Sequence, residues 1–160
     1  MTQERTSFVY VTYIRSTPQK VFAAITQPEI ARQYWGHENV SDWKPGSKWE
    51  HVRANGERSV GVVGKVVEVT PPSRLVITWA SPSQADDPAA YSRVSFDIAE
   101  YDGMVKLTVT HDELQPDSAM AKGITRGWPI VLSSLKSLLE TGQGIDVFAQ
   151  PRSGAVERCS

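Results

Sequence analysis

The sequence predicts an α+β fold in which a curved antiparallel sheet of six strands packs against one long helix near the C-terminus. The first observation is a series of short runs rich in β-branched and aromatic residues, at residues 8–14 and again between residues 48 and 112. The second is a pair of short helical segments between the first run and the others. The third is the segment 117–142, whose apolar residues recur at steps of three and four. A helix with one apolar face needs a broad apolar partner, so the sheet and this helix are expected to cover each other.

The first predicted strand, residues 8–14, has the sequence FVYVTYI. Thr17 followed by Pro18 is typical of a helix start, because the threonine side chain can cap free N–H groups and proline needs no N–H at the first helical position. Pro28 starts a second short helix that ends near Trp35. These two helices connect the first strand to the rest of the sheet.

The other five strands are predicted over residues 48–52, 59–69, 74–80, 91–101 and 104–112. Asn55-Gly56 and Asp102-Gly103 are typical hairpin turns, and the Pro71-Pro72 pair separates two strands. Residues 81–88 are polar and contain prolines, as in a loop. A meander of this length curls as it twists, which leaves room for a cavity between the sheet and the long helix.

The long helix is predicted to begin at Asp117 or Ser118, either of which can act as N-cap, and to end at Gly142. Pro129 lacks an N–H for the carbonyl group of Thr125, so a bend or a loosening is expected near its middle. The apolar residues that share one side of this helix are Met120, Ile124, Trp128, Val131, Leu132, Leu135, Leu138 and Leu139.

The length of 160 residues fits one domain, predicted over residues 1–142 and followed by a C-terminal extension over residues 143–160. A net charge of −1 gives no overall field that would attract nucleic acid or an acidic membrane surface. The only cysteine, Cys159, excludes an intrachain disulfide. With no apolar run near ~18 residues and no leader-like start, we expect a soluble, cytoplasmic protein.

Strand alternation indicates which side chains point toward the helix. In the last strand His111 shares the parity of Val105, Leu107 and Val109, which places it on the inner face. It can be interpreted as a polar anchor or general base in an apolar cavity, because the reference pKa of histidine lies near neutrality. It can also be a hydrogen-bonded histidine at the edge of the core, and we favour this interpretation because buried polar groups usually find a partner.

Large aromatic side chains fall on the predicted inner faces of several elements. They can line a ligand pocket, where rigid rings supply contact area and polar tips supply orientation, or they can be ordinary core. The same parity in the second strand groups Arg53 with Trp49 and His51. The residues predicted to line a ligand site are Tyr34, Trp35, Trp49, His51, Trp79, Phe96, His111, Trp128 and Leu132.

Other kinds of site are not supported by the sequence. The histidines at 37, 51 and 111 have no local metal-ligand spacing and no cysteine partners, so no metal site is predicted. No serine stands in a nucleophile-elbow motif. Gly61 and Gly64 lie inside a predicted strand and do not open a helix, so they form no phosphate loop, and no cofactor is implied.

Four stretches, taken together and in this order, are similar to a known family: residues 14–36, 42–51, 64–79, and 107–114 with 127–142. The chain resembles the bacterial proteins related to the C-terminal domain of the activator of heat-shock protein 90 ATPase, within the START-like (SRPBCC) helix-grip superfamily. The sequence departs from the family pattern where Ser47 follows Gly46 and where Pro129 lies inside the last helix.

The resemblance implies a helix-grip fold with a cavity between the sheet and the C-terminal helix. Superfamily members hold lipids, hormones or polyketides there, and some are cyclases or hydrolases. Our leading hypothesis is therefore the binding of a small apolar or aromatic ligand. The alternatives are an enzyme that uses His111 or His51 as general acid/base and a chaperone-interaction module, the latter weakened by the lack of an attached second domain. Pairing of two chains through an edge strand, to form a homodimer, is left open.

Overall fold

The computed structural model describes residues 5–54 and 57–145, and within them seven antiparallel strands form one sheet. The strands are β1 Thr6–Ile14, β2 His37–Ser41, β3 Lys48–Arg53, β4 Val60–Thr70, β5 Arg74–Trp79, β6 Ser92–Tyr101 and β7 Met104–Leu114. The helices are α1 Pro18–Thr26, α2 Pro28–Trp35 and α3 Ala119–Thr141. Two short 3-10 turns, Pro82–Gln84 and Pro88–Ala90, occupy the predicted loop between β5 and β6. The α+β fold with a long C-terminal helix is thus confirmed.

The strand that the sequence prediction missed is β2, so the count of six is wrong. Its sequence, HENVS, has no apolar alternation, and its first three side chains are buried although they are polar. Burial of polar groups depends on specific partners, and a periodicity of apolar residues does not reveal them. β2 pairs with β3 from His37 opposite Arg53 to Ser41 opposite Trp49.

The order of strands across the sheet is β1-β7-β6-β5-β4-β3-β2, so β1 and β2 form opposite edges. The helices α1 and α2 carry the chain from one edge to the other. The Thr17 side chain accepts a hydrogen bond from the Lys20 N–H (3.3 Å) to start α1, as predicted. Gly36 ends α2 in the left-handed conformation, with φ of 70°.

The helix α3 is capped at its start by Ser118, whose hydroxyl accepts from the Ala121 N–H (3.1 Å). It ends at Gly142 with φ of 90°, as predicted. The helix continues through Pro129 without a break. At its C-terminal end the Glu140 carboxylate accepts from the Arg15 N–H (2.8 Å), which ties α3 to the end of β1.

The inner face of the sheet is the face whose side chains are buried under the helices. Val105, Leu107, Val109 and His111 of β7 are fully buried there, which confirms the predicted alternation. Arg53 is exposed, so its grouping with Trp49 and His51 is wrong. A bulge between His51 and Val52 shifts the pairing of β3 with β4. As a result two consecutive residues, His51 and Val52, are both buried, and the simple alternation ends before Arg53.

The predicted turn Asp102-Gly103 forms with both residues at positive φ, 51° and 81°. The predicted turn Asn55-Gly56 lies outside the described residues. The first residues of the predicted extension contact α3, because the Ile145 N–H donates to the Ser134 hydroxyl (2.9 Å). The rest of the extension lies outside the described part of the chain.

The edge strand β1 exposes apolar side chains on its outer face. Val9 is 55% exposed, and Val11 and Tyr13 are also open to solvent. The Tyr13 ring contacts that of Tyr101 at a centroid distance of 5.2 Å. A homodimer through this edge stays a prediction.

None of the helices described has the length and apolar character needed to cross a membrane. The expected cytoplasmic location stays a prediction.

Candidate functional site

Seven aromatic rings meet between the inner face of the sheet and α3, and we call them the aromatic cluster. Each is at most 3% exposed, and neighbouring ring centroids lie 4.6–6.2 Å apart. They come from α2, β3, β5, β6, β7 and α3, so the fold brings together residues that are far apart in sequence. The members are Trp35, Trp49, His51, Trp79, Phe96, His111 and Trp128.

The other two predicted site residues lie beside the cluster. The Tyr34 ring stacks against that of Trp35 (5.9 Å), and its hydroxyl donates to the Ala24 carbonyl group (2.9 Å). Burial raises the pKa of Tyr34 far above its usual value. Leu132 is buried on the inner side of α3. The structure thus collects all nine residues in one region, and a role for them in ligand binding stays a prediction.

His111 is hydrogen-bonded at both ring nitrogens. The Trp128 indole N–H donates to its Nδ1 (3.1 Å), and its Nε2 contacts the Ser92 hydroxyl oxygen (2.7 Å). An indole is only a donor, so Nδ1 must be the acceptor and Nε2 must carry the proton. The Ser92 hydroxyl in turn donates a hydrogen bond to the Trp79 carbonyl group (3.2 Å). The result is a one-way chain of hydrogen bonds from α3 through β7 and β6 to β5.

His111 is also fully buried, and its burial keeps the ring neutral. Desolvation lowers the pKa of its imidazole to about 3, because a charged ring would lose hydration that no carboxylate replaces. A histidine with both nitrogens engaged and a pKa this low is poorly suited to proton transfer near neutral pH. The geometry therefore favours the hydrogen-bonded interpretation of His111 over the general-base interpretation.

His51 is oriented by a different partner, Asn39 of the missed strand β2. The Asn39 amide nitrogen donates to the Ile25 carbonyl group (2.8 Å), which turns its oxygen toward His51 Nδ1 (2.7 Å). Because that oxygen only accepts, His51 Nδ1 carries the proton. The His37 ring stacks on His51 at 4.4 Å with an angle of 4° between planes. Burial first, and then the charge of His37, hold the pKa of His51 well below its usual value.

Two buried polar atoms of the cluster have no hydrogen-bond partner among the described residues. They are the Trp35 indole Nε1, a donor, and the His51 Nε2, which is left as an acceptor by the proton on Nδ1. The two rings are in direct contact, with centroids 4.6 Å apart and planes tilted by 58°. Since most buried polar atoms in proteins are hydrogen-bonded, a donor and an acceptor left open in one aromatic region require an explanation.

The sheet side of the cluster is held by Trp49. Its indole N–H donates across β4 to the Thr78 carbonyl group of β5 (2.7 Å), passing over Gly64. A Cβ atom at position 64 would overlap the Thr78 carbonyl oxygen and lie 2.5 Å from the Trp49 Nε1. A glycine is therefore required where the indole crosses the strand.

The Glu38 carboxylate of β2 lies at the border of the site between two arginines. It accepts from Arg32 (3.0 Å) and from Arg58 (2.9 Å). Hydrogen bonding to Arg58, followed by that to Arg32, lowers the pKa of Glu38 against the opposing effect of burial. Within the described residues, no three His, Cys, Asp or Glu side chains come close enough together to hold a metal ion.

Sequence reasoning missed Glu38 and Asn39 because both belong to the strand that it did not predict. The available signal was local: three polar residues directly follow a predicted helix end and precede a proline-glycine turn. Ser92 has the same strand parity as the predicted site residue Phe96, but its role as the link between His111 and Trp79 becomes visible only in the structure.

Comparison with known proteins gives one family and several solved structures. The sequence model of the family described as Activator of Hsp90 ATPase homolog 1-like protein matches residues 15–140. The solution structure of the Aha1 dimer from Colwellia psychrerythraea has a TM-score of 0.71 at 20% identity, covering 87% of this chain and 99% of that chain. An X-ray structure of a Mesorhizobium loti protein has a TM-score of 0.70 at 25% identity, covering 84% and 97% respectively.

A third solved structure, that of an Hsp90 activator from Plasmodium falciparum, has a TM-score of 0.68 at 21% identity and covers 83% of this chain and 95% of that chain. No curated protein sequence matches this chain at a significant level. At these identities the similarities among structures establish the shared fold.

Proposed function

The chain belongs to the Activator of Hsp90 ATPase homolog 1-like family, and from this fold and its aromatic cluster we propose that it binds a small apolar or aromatic molecule between the sheet and α3. The observation that carries the proposal is the pair of unpartnered buried atoms, Trp35 Nε1 and His51 Nε2. Ligand sites are typically apolar and aromatic, with a few polar groups that fix orientation. The aromatic cluster has this composition.

The walls of the proposed site come from independent elements. Trp35 contacts Trp128 of α3 at 5.6 Å, and Trp128 contacts Trp79 of β5 at the same distance. A molecule that entered between the helix and the sheet would therefore touch rings on both sides. Offset or edge-on ring contacts add about 0.5–1.5 kcal/mol each beyond simple burial.

The enzyme alternative receives less support from the geometry. Both ring nitrogens of His111 are hydrogen-bonded, to Trp128 and Ser92. His51 is neutral, and its Nδ1 is hydrogen-bonded to Asn39. Neither ring combines a free basic nitrogen with a pKa near neutrality, which general acid/base catalysis requires. Binding without chemistry is the simpler use of this interior.

The first test is native mass spectrometry of freshly purified protein, compared with the same sample after denaturation and extraction. A small molecule that leaves with a fixed mass at a ratio near one per chain supports the proposal. A panel of apolar aromatic compounds is then titrated against the intrinsic fluorescence, since four of the five tryptophans lie in the cluster. Absence of both a retained molecule and saturable quenching would refute the proposal.

A matched pair of variants locates the site. Leu132→Phe adds volume on the buried face of α3 and is expected to weaken binding about tenfold or more. Val67→Phe makes a comparable change at a position that is 49% exposed on β4 and should leave binding within about twofold. Equal effects of the two changes would place the ligand elsewhere.

A second candidate is an interaction with Hsp90, which is favoured by the family and by the fold shared with the Plasmodium falciparum activator. It is tested by measuring the ATPase rate of a purified bacterial Hsp90 with and without an excess of this chain. An increase that saturates with concentration would support this function. An unchanged rate together with no complex in size-exclusion chromatography would exclude it.

A further inference from the structure

We propose that the molecule bound in the aromatic cluster carries a hydroxyl group that accepts a hydrogen bond from Trp35 Nε1–H and donates one to His51 Nε2. This inference rests on the proposed binding function and names the ligand class: a small alcohol or phenol on an apolar or aromatic skeleton. The evidence is the pairing of one open donor with one open acceptor in the same buried region.

The acceptor is defined by the contacts on the other side of the His51 ring. Asn39 presents its oxygen to Nδ1 because its nitrogen is already committed to the Ile25 carbonyl group. The neutral ring has one proton, and Nδ1 holds it, so Nε2 offers only a lone pair. His51 is fully buried, and its Nε2 has no partner in the described part of the chain. A ligand that contributes a proton to this nitrogen would remove the unsatisfied group.

The donor is the indole nitrogen of Trp35. An indole nitrogen can only donate, and that of Trp35 is buried without an acceptor among the described residues. Two other tryptophans of the cluster already use their indole N–H groups within the protein. Trp49 donates to Thr78, and Trp128 donates to His111. The buried indole of Trp35 therefore has a hydrogen bond to offer to a ligand.

The donor and the acceptor together select among polar groups. A carboxylate or an ether can accept from Trp35 but brings no proton to His51. An ammonium group can donate to His51 but leaves the indole unpaired, and its charge would be buried without a counter-ion. A hydroxyl is the smallest group that both accepts and donates, so it satisfies the two atoms at once.

The surroundings select the rest of the molecule. Within the cluster the His51 ring also contacts Trp49 and Trp79, at 6.1 and 6.0 Å. Trp128 contacts both Trp35 and Trp79 at 5.6 Å. Flat aromatic surfaces of this kind favour a flat apolar skeleton, and every member of the cluster is an aromatic ring. A phenol therefore fits both parts of the site.

The test is isothermal titration calorimetry of the full chain with three probes of nearly equal shape: 2-naphthol, 2-methoxynaphthalene and naphthalene. The expected result is that 2-naphthol binds at least tenfold more tightly than either of the others, because it alone can donate to His51. Trp35→Phe removes the donor while keeping an aromatic ring and should reduce 2-naphthol affinity by about tenfold. Naphthalene affinity should change by less than about twofold.

The control is Trp43→Phe, since the Trp43 indole N–H donates to the Thr26 carbonyl group (2.9 Å) outside the cluster. It should leave the affinities for all three probes unchanged. Similar affinities for 2-naphthol and naphthalene would overturn the hydroxyl inference while the binding function stands. Failure of all three probes to bind would overturn both.

Discussion

Acidification from pH 7 to pH 5 should destabilise the fold through the two buried histidines of the aromatic cluster. His111 has a folded-state pKa of about 3, against about 6.5 in an unfolded chain, and the pKa of His51 is lowered in the same direction. Below pH 6.5 the unfolded chain takes up protons that the folded chain refuses. The free energy of unfolding therefore falls as the pH falls, starting at the unfolded pKa and continuing down toward the folded one.

The magnitude follows from the size of the shift. His111 contributes a slope of about 1.4 kcal/mol per pH unit once the pH is well below 6.5. Between pH 6.5 and pH 5 this is about 2 kcal/mol for His111 alone, and the lowered pKa of His51 adds to the loss in the same direction. A domain with a total stability of about 5–15 kcal/mol would lose a large share of it.

The carboxylates affect stability at a lower pH than the histidines do. Ion pairs and hydrogen bonds lower the pKa values of Glu38 and Glu140 below the ordinary 4.5. Their stabilising contributions are present above that value and are lost only at lower pH. The interval from pH 5 to pH 6.5 therefore reports mainly on histidines.

The assay is urea unfolding followed by circular dichroism at pH 7.0, 6.0 and 5.0, for the natural chain and for His111→Gln. A glutamine at this position can accept from Trp128 and donate to Ser92 without titrating. The expected result is that the pH slope of the variant is smaller by about 1.4 kcal/mol per unit. A natural chain whose stability is flat over this interval, or a variant with an unchanged slope, would refute the reasoning.

Three further changes test the packing that surrounds the site by the same urea assay. Gly64→Ala should lower the free energy of unfolding by about 2–5 kcal/mol, because the added carbon overlaps a backbone oxygen and displaces a buried indole hydrogen bond. In the control variant Gly61→Ala, in the same strand, the added carbon meets nothing closer than 3.9 Å, so the loss should be less than about 1 kcal/mol. Equal losses would contradict the close approach of the Trp49 indole to Gly64. Asn39→Ala should cost about 2–4 kcal/mol by leaving His51 Nδ1 and a buried carbonyl group unpaired, and a neutral effect would mean that water replaces it. Ser118→Ala should cost about 1 kcal/mol through loss of the α3 cap, and an unchanged stability would show that the cap is dispensable.

Most of the fold could be predicted because its elements carry strong local signals. The steps of three and four in α3, the Thr17-Pro18 helix start and the Asp102-Gly103 turn each depend on neighbouring residues only. β2 lacked such a signal, because the hydrogen-bond partners of its buried polar side chains lie on other elements, namely α1, α2 and β3. The exposure of Arg53 was missed for a similar reason, because a bulge depends on how two strands pair.

In the candidate site, too, some features could be predicted from local sequence and others depend on distant residues. Alternation within strands was enough to place Trp49, His51 and His111 on one face. Whether a buried histidine is saturated or left with an open nitrogen depends on distant side chains, here Ser92 and Trp128 in one case and Asn39 in the other. The difference between the two histidines, which decides the proposed ligand chemistry, therefore appears only when the chain is folded.

The position of β1 has a consequence for how the protein is made. Among the strands that the structure describes, β1 pairs with β7 alone, from Thr6 opposite Leu114 to Ile14 opposite Val105. A ribosome that adds about 5–20 residues per second needs on the order of 5–20 s to synthesise the chain between these two strands. Throughout that time the FVYVTYI segment, which has no charged residue, is without its partner. Although β1 precedes the other strands of this sheet in the sequence, it is thus among the last to join the sheet, and until then its unpaired edge needs protection from other unpaired strands.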